Sequence, residues 1–245
     1  MTMILAVHQP QYLPWLGFFD KIQQADMFVL LDNVQFKKNE WQNRNRIKTS
    51  QGWQWLTVPV EHHFGQKIQH VKICPTRDWR AKHVHAIMTS YHNAPFFETY
   101  WNEIEDLFTI RWEYLSALNI YVIQHLMKLL NIHTPVYIAS QLPPLPETPD
   151  ERLVKIAQHF GATTYLAGAG GKSYMNLKTY HDANIDVVFQ DYSHPVYRQL
   201  FGNFEPYMSV LDLLFNCGDQ SLEILSSKEE TRYEYTGNWS ASRRC

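Results

Sequence analysis

Cysteine is scarce in this sequence: the 245 residues include three, Cys74, Cys217 and Cys245. Their odd number and wide spacing argue against a disulfide framework and a cysteine-based zinc site, so we expect free thiols. No run of about 18 apolar residues occurs, and the first residues lack the basic and apolar segments of a signal peptide. These absences predict a cytoplasmic protein without membrane insertion.

An excess of either charge is also missing. Lys and Arg together number 22 and Asp and Glu 24, which gives a formal net charge of -2. No overall electrostatic field therefore attracts nucleic acid or anionic lipid, so we expect a small molecule as the partner and no nucleic acid. The hydrophobic content of 45% is enough for one large core or two small ones.

Three familiar site patterns are absent as well. No Gly-x-Ser-x-Gly elbow occurs, which argues against Ser-His-Asp catalysis. Lys172 and Ser173 follow a glycine, as in a Walker A loop, but Leu166 stands where the first glycine of that loop is required. His83 and His85 lie in a helical pattern, where residues two apart diverge by about 200°, so we expect no metal site.

Strand and helix patterns alternate in a way that is typical of a mainly parallel sheet flanked by helices. The predicted strands of this sheet are residues 3–7, 27–31, 136–139, 164–167 and 186–190. The helices predicted to flank it are residues 17–24, 151–160 and 177–183. The sequence therefore predicts an α/β fold.

A different pattern separates the two parts of that sheet. An antiparallel hairpin or meander is predicted from the β-prone segments 46–49, 53–60 and 67–73. A helical middle section is predicted from 78–93, 95–110 and 115–131. We expect one domain over residues 1–225 with an insertion at about 45–131, followed by a poorly packed tail at 226–245.

The turn after the first strand combines hydrogen-bonding side chains with aromatic rings between two prolines. In α/β proteins such strand-to-helix turns bind ligands. We interpret His8 as a catalytic candidate, and as substrate-binding candidates we take Gln9, Gln11, Tyr12, Trp15 and Lys21. The alternative is that the aromatic residues only close the top of the sheet.

A second loop follows the second strand, and parallel strands bring such loops to the same edge. Asp32 is a catalytic candidate there. Guanidinium, ammonium, amide and indole groups suit a planar anionic ligand such as a nucleotide, so the binding candidates are Gln35, Lys37, Trp41, Asn43, Arg44 and Asn45. A solvated basic loop is the alternative.

Two later segments also end predicted strands. A glycine cluster with a lysine could hold a phosphate, and its candidates are Gly168, Gly170, Gly171 and Lys172. Glycine-rich turns also form for backbone reasons alone. After the last strand, His194 is a candidate general base with Tyr197 and Gln199 beside it, although a histidine before proline is often only a turn residue.

Several long motifs resemble the WbqC-like family of bacterial proteins, named for a member found among surface-polysaccharide genes. The motifs are residues 8–22, 32–36, Trp41, 43–45, 55–60, 161–165, Gly168, Gly171, 194–197, 211–216 and Gly218. The resemblance implies a setting in glycan or secondary-metabolite assembly. A weaker analogy to nucleotidylyltransferases, with Gly17 in the equivalent tetrad, is used for the fold alone and suggests a nucleotidylyltransferase or HUP-like core.

Two functions remain open. The first is a transferase or ligase that joins an amino, acyl or nucleotidyl group to a sugar-linked or amine substrate, with a nucleotide such as ATP as a conceivable cofactor. The second is a protein that binds a nucleotide-sugar or glycan without catalysis, as a scaffold for neighbouring enzymes.

Overall fold

The computed structural model describes residues 2–227. Its strands are β1 (Ile4–His8), β2 (Met27–Leu30), β3 (Arg44–Thr49), β4 (Gly52–Thr57), β5 (Val60–Glu61), β6 (Lys72–Ile73), β7 (Val136–Ile138), β8 (Thr164–Ala167) and β9 (Asp186–Phe189). Its α-helices are α1 (Leu16–Gln23), α2 (Trp79–Tyr91), α3 (Phe97–Asp106), α4 (Leu115–Leu129), α5 (Pro149–Phe160), α6 (Leu177–His181), α7 (Val210–Cys217) and α8 (Ser221–Ser226).

Five strands form one parallel sheet in the order β7-β2-β1-β8-β9. The predicted α/β class, with a parallel sheet, an antiparallel hairpin and a helical middle section, is confirmed. Strands β2 and β7 follow β1 on one side of the sheet, and the chain then crosses to β8 and β9 on the other side of β1. The strand order therefore reverses between β1 and β8, where open α/β sheets bind ligands.

The two faces of the sheet belong to different apolar clusters. Side chains alternate between faces along a strand, so Ala6 and Leu166 lie in the large cluster with α1, α4 and α7. Leu5, Val7 and Tyr165 lie in a smaller cluster with α5 and α6. Both faces of the sheet are thus covered by helices.

Two elements differ from their sequence patterns. The prediction of a strand over residues 67–73 is wrong for most of its length, since Ile68–His70 is a 3-10 helix and the strand is Lys72–Ile73. The N–H groups of Ile68 and Gln69 bind carbonyls in the loop after β2 and hold the segment there. Helix α7 was not predicted from the sequence, and all its residues are buried.

Cys74 and Cys217 are free thiols, as expected, whereas Cys245 lies outside the described residues. So does the predicted tail from residue 228 onward. Within the described part of the chain, no helix has both the length and the hydrophobicity needed to cross a bilayer.

A buried carboxylate joins α7 to the inserted hairpin. Asp212 accepts hydrogen bonds from Tyr91 Oη at 3.0 Å, Tyr197 Oη at 2.8 Å and Gln199 Nε2 at 2.7 Å. Lys48 Nζ donates to Gln199 Oε1 at 3.0 Å, which completes the cluster. Burial nevertheless raises the pKa of Asp212 to about 6, because desolvation outweighs these partners.

The raised pKa of Asp212 makes the stability of the fold depend on pH. Between its unfolded value of 3.8 and about 6, the folded chain holds a proton that the unfolded chain has lost. The free energy of unfolding should therefore fall as pH rises through this window, by about 1.4 kcal/mol per unit of pKa difference. Urea titrations of wild type and Asp212→Asn at pH 4 and pH 7 measure this change.

The variant lacks the titrating group, so its stability relative to wild type should improve from pH 4 to pH 7. A relative loss over that window would mean that the pKa of Asp212 is lowered, and would contradict this account.

Candidate functional site

Four strand ends meet at the carboxyl edge of the parallel sheet. Leu31 N–H donates to His8 O at 2.8 Å, and Gln190 N–H donates to Ala167 O at 2.8 Å. Ala6 pairs with Leu166, and continuing this register places Gly168 beside His8, since neighbouring strands are about 4.8 Å apart. We call His8, Asp32, Gly168 and Gln190 the rim.

Lys21 is a buried cation just behind the rim. Its side chain comes from α1, is 3% exposed, and donates from Nζ to Val7 O at 2.9 Å. No carboxylate of the described residues forms an ion pair with it. Desolvation lowers the pKa of Lys21 to about 7. The ammonium is therefore held at an energetic cost, a condition that is common at functional sites.

His8 lies at the end of the central strand and is half-buried. Nδ1 lies 2.9 Å from Gln9 O, so this nitrogen carries the proton and donates it, and Nε2 is left as an acceptor. Burial lowers the pKa of His8 to about 4, and the charge of Lys21 lowers it further. The imidazole is neutral at pH 7 and can accept a proton.

Trp15 lies across the start of α1. A Cβ on Gly17 would be 2.2 Å from Trp15 Cη2, so only glycine leaves room for the indole at this position. The ring contacts Tyr192 at a centroid distance of 5.6 Å, His194 at 6.4 Å and Tyr207 at 5.5 Å. We call these four side chains the aromatic wall.

His194 has a hydrogen-bond partner at both ring nitrogens. Nδ1 donates to Pro195 O at 2.9 Å, and Nε2 accepts the N–H of Tyr207 at 3.1 Å. In this conformation neither nitrogen is free for a substrate proton. A catalytic role for His194 stays a prediction, and the geometry favours a role in holding the aromatic wall.

The first two loops meet, as expected, and their amides hold them together. Gln42 Nε2 donates to Gln9 Oε1 at 2.6 Å, and Tyr12 N–H donates to Trp41 O at 2.9 Å. Asn45 Nδ2 donates to Leu13 O at 2.6 Å. Leu13 has a φ of 44°, which costs energy for a residue other than glycine, so this bond stabilises a strained turn.

Other predicted binding residues also have structural partners. Asn43 Nδ2 donates to Val58 O at 3.1 Å, and the Tyr12 hydroxyl lies 2.9 Å from His83 Nδ1. Asp32 accepts from Ser140 N–H at 2.9 Å and from Ser140 Oγ at 2.6 Å, which ties β2 to the loop after β7. As described above, Tyr197 and Gln199 hold Asp212.

The remaining predicted residues differ in exposure. Gln11 is 6% exposed, and its Oε1 has no hydrogen-bond partner among residues 2–227. Gln35 and Lys37 are exposed. Gly170 and Lys172 are exposed in the 3-10 helix Ala169–Ser173, whereas Gly171 is buried against Met175 and Phe189.

The β3–β4 hairpin carries a stack of indole and guanidinium groups. Arg44 lies 4.1 Å from the ring centroid of Trp55, and Arg46 lies 5.0 Å from that of Trp53. Trp41 contacts Trp55 at a centroid distance of 5.6 Å. We call these five side chains the tryptophan–arginine face.

Of that face, only Trp41 and Arg44 were predicted from the sequence. Arg46 and Trp55 are directly cross-strand, and Lys48 pairs with Trp53 in the same register. The sequence does show cations at alternate positions of β3 and indoles at alternate positions of β4. To predict that these side chains meet, the register of the hairpin must also be known. Arg46 Nη2 also donates to Tyr207 O at 3.3 Å, which connects the face to the aromatic wall.

Metal ligation has no support from the described residues, since among residues 2–227 no three His, Cys, Asp or Glu side chains are grouped closely enough to hold an ion.

Comparison with known proteins identifies the family. The model of the WbqC-like protein family matches residues 9–224. The chain is 36% identical over 225 residues to a Mycobacterium tuberculosis protein described as uncharacterized protein Rv1507c, and the match covers 90% of this chain and 96% of the relative. No solved structure matches the chain. The long family match and the high coverage of this relative show that the chain belongs to the WbqC-like protein family.

Proposed function

We propose that the protein is a cytoplasmic transferase or ligase of surface-polysaccharide or secondary-metabolite biosynthesis. Its substrate is a small molecule that carries a nucleotide, sugar or acyl group. The observation that carries this proposal is Lys21, a buried ammonium without a carboxylate partner among the described residues, at the point where the strand order reverses. The chemistry would take place between Lys21, His8 and the aromatic wall.

Lys21 has no anionic partner among the described residues, and a negative charge on the substrate would provide one. Of its three N–H donors, one binds Val7 O. In a site of low polarity, a fixed cation stabilises charge that develops on a substrate far more than it would in water. An anionic leaving group or oxyanion near the rim would complete this site, and its charge would raise the pKa of both Lys21 and His8.

His8 is the proton acceptor in this proposal. The substrate nucleophile, an amine or hydroxyl, would transfer its proton to Nε2 as it forms the new bond. The Gln9 carbonyl holds the required tautomer through Nδ1–H. Burial, together with the charge of Lys21, lowers the pKa of His8 and keeps the imidazole neutral before the substrate binds.

Binding without catalysis is the second candidate function. The tryptophan–arginine face favours it, because stacked indoles and guanidinium groups recognise ligands without performing chemistry. A thermal-shift screen against nucleotides, nucleotide-sugars and acyl-CoA would identify the ligand class. A ligand at 100 times its dissociation constant adds about 2.7 kcal/mol of stability.

Replacing Lys21 should stabilise the fold. The pKa of Lys21 falls from 10.5 to about 7, so below pH 7 the folded chain keeps a proton at a site that disfavours it. Lys21→Met removes this cost and should raise the free energy of unfolding at pH 6 by about 2 to 4 kcal/mol. The gain should shrink as pH rises from 7 towards 10, because the wild-type amine is then neutral when folded.

Lys48→Met is the matched control. The Lys48 ammonium donates to Gln199 Oε1 and to Asn203 O and lies near the charges of Asp212 and Glu205. Its loss removes these charge-assisted hydrogen bonds and should destabilise the fold by about 1 to 3 kcal/mol. Chemical denaturation of both variants measures the difference. Equal destabilisation by the two substitutions would refute the view that Lys21 is held at a cost.

Two alanine variants separate catalysis from binding. Arg44→Ala should weaken ligand affinity and reduce turnover, whereas His8→Ala should reduce turnover alone, by a factor of about 100 or more. Calorimetry with the ligand from the screen and a turnover assay on the same samples provide both values. If wild type binds the ligand without detectable turnover, the scaffold function replaces the enzyme.

The pH profile tests the assigned proton positions. For free wild-type enzyme, kcat/KM should rise as pH increases through about 4, where His8 becomes neutral, and fall through about 7, where Lys21 loses its charge. In Lys21→Met the remaining activity should lack the fall near pH 7. A fall that persists in the variant would assign that titration to another group.

A further inference from the structure

We propose that the tryptophan–arginine face binds the nucleoside diphosphate part of the substrate, with Arg44 and Arg46 on the diphosphate and Trp53 against the base. This deepens the proposed function, on which it rests, by naming the group that delivers the reacting end to the rim.

The two guanidinium groups lack an ion-pair partner in the described part of the chain. Among residues 2–227, no ion pair includes Arg44 or Arg46. Nε of each is buried without a hydrogen-bond partner in the same part of the chain. Burial lowers the pKa of Arg46, and the more distant charge of Glu205 only partly offsets this. Two adjacent cations without an ion pair among residues 2–227 form a site that an anionic ligand would complete.

The geometry favours two linked phosphates over a single charge. Arg44 and Arg46 project from the same side of β3, and residues two apart along a strand are separated by about 7 Å. Stacking on an indole uses the face of a guanidinium and leaves the N–H groups in its plane available for phosphate oxygens. Each arginine can therefore bind one phosphate of a diphosphate.

An aromatic surface for the base lies at one end of this pair. Trp53 is 43% exposed, lies opposite Lys48 in the hairpin, and has its ring centroid 5.0 Å from the Arg46 guanidinium. At the other side, Arg46 binds Tyr207 O, and Tyr207 contacts Trp15 above the start of α1. A ligand whose diphosphate binds the arginines can therefore extend along the aromatic wall towards His8.

The glycine loop is a weaker phosphate site. Residues Ala169–Ser173 form a 3-10 helix of five residues, too short for a substantial helix dipole. Lys172 lies 5.6 Å from the ring centroid of Phe189. The arginine pair offers more charge and more fixed donors.

Tryptophan fluorescence measures binding directly, because three indoles surround the arginines. UDP, ADP and inorganic pyrophosphate are titrated into the full-length protein and its variants. Arg44→Gln and Arg46→Gln should each weaken UDP and ADP binding by a factor between about 10 and 100. Lys155→Gln, which removes a charge from an exposed position on α5, should leave the affinity unchanged.

Arg44→Lys keeps the charge without the planar fork and should also lose affinity. Trp53→Ala should weaken UDP and ADP but not pyrophosphate, which has no base. Circular dichroism of each variant verifies folding.

Absence of UDP, ADP and pyrophosphate binding to folded wild type would overturn the inference, and turnover of an acyl-linked substrate would still support the proposed enzyme. Binding that neither arginine variant weakens would also overturn it and would favour the glycine loop. If nucleotides bind as predicted but His8→Ala and Lys21→Met leave turnover unchanged, the proposed catalytic roles fail and this inference stands.

Discussion

Burial of the Lys21 ammonium against the Val7 carbonyl is the constraint around which the rest of this site is organised. A charge transferred from water to a protein interior without an opposite charge costs several kcal/mol. The fold nevertheless keeps this cation at the end of its central strand, where the strand order reverses. Such a cost persists when the group serves a ligand, because the ligand supplies the missing charge.

The hydrogen bonds of the two loops show how their polar residues are used. Gln9, Gln42 and Asn45 bind each other or the backbone, so they fix the loops and leave few side chains for a substrate. The strained Leu13 turn is held by the same bonds. Rigid loops of this kind lower the entropic cost of binding, because little is left to order when the ligand arrives.

The inserted hairpin adds positive charge to that of Lys21 near the rim. Lys21 provides a buried cation, and Arg44 with Arg46 provides two more on an accessible aromatic face. The Arg46–Tyr207–Trp15 contacts link the hairpin to the start of α1, the helix that carries Lys21. Overall net charge is -2, so this local concentration of cations is a property of the fold and not of composition.

The sequence predicted the parallel strands to within one or two residues, because buried strands bounded by turns leave clear apolar runs. It also indicated that the first two loops meet. It could not assign the roles of their side chains, since Asn43 and Tyr197 have the same chemistry whether they bind a substrate or another residue. Arg46 and Trp55 were missed because their pairing depends on hairpin register. NMR titration of lysine side chains, with Lys21 assigned by comparison with Lys21→Met, tests the account most directly: an ammonium that titrates near pH 7 is predicted, and a pKa near 10.5 would contradict it.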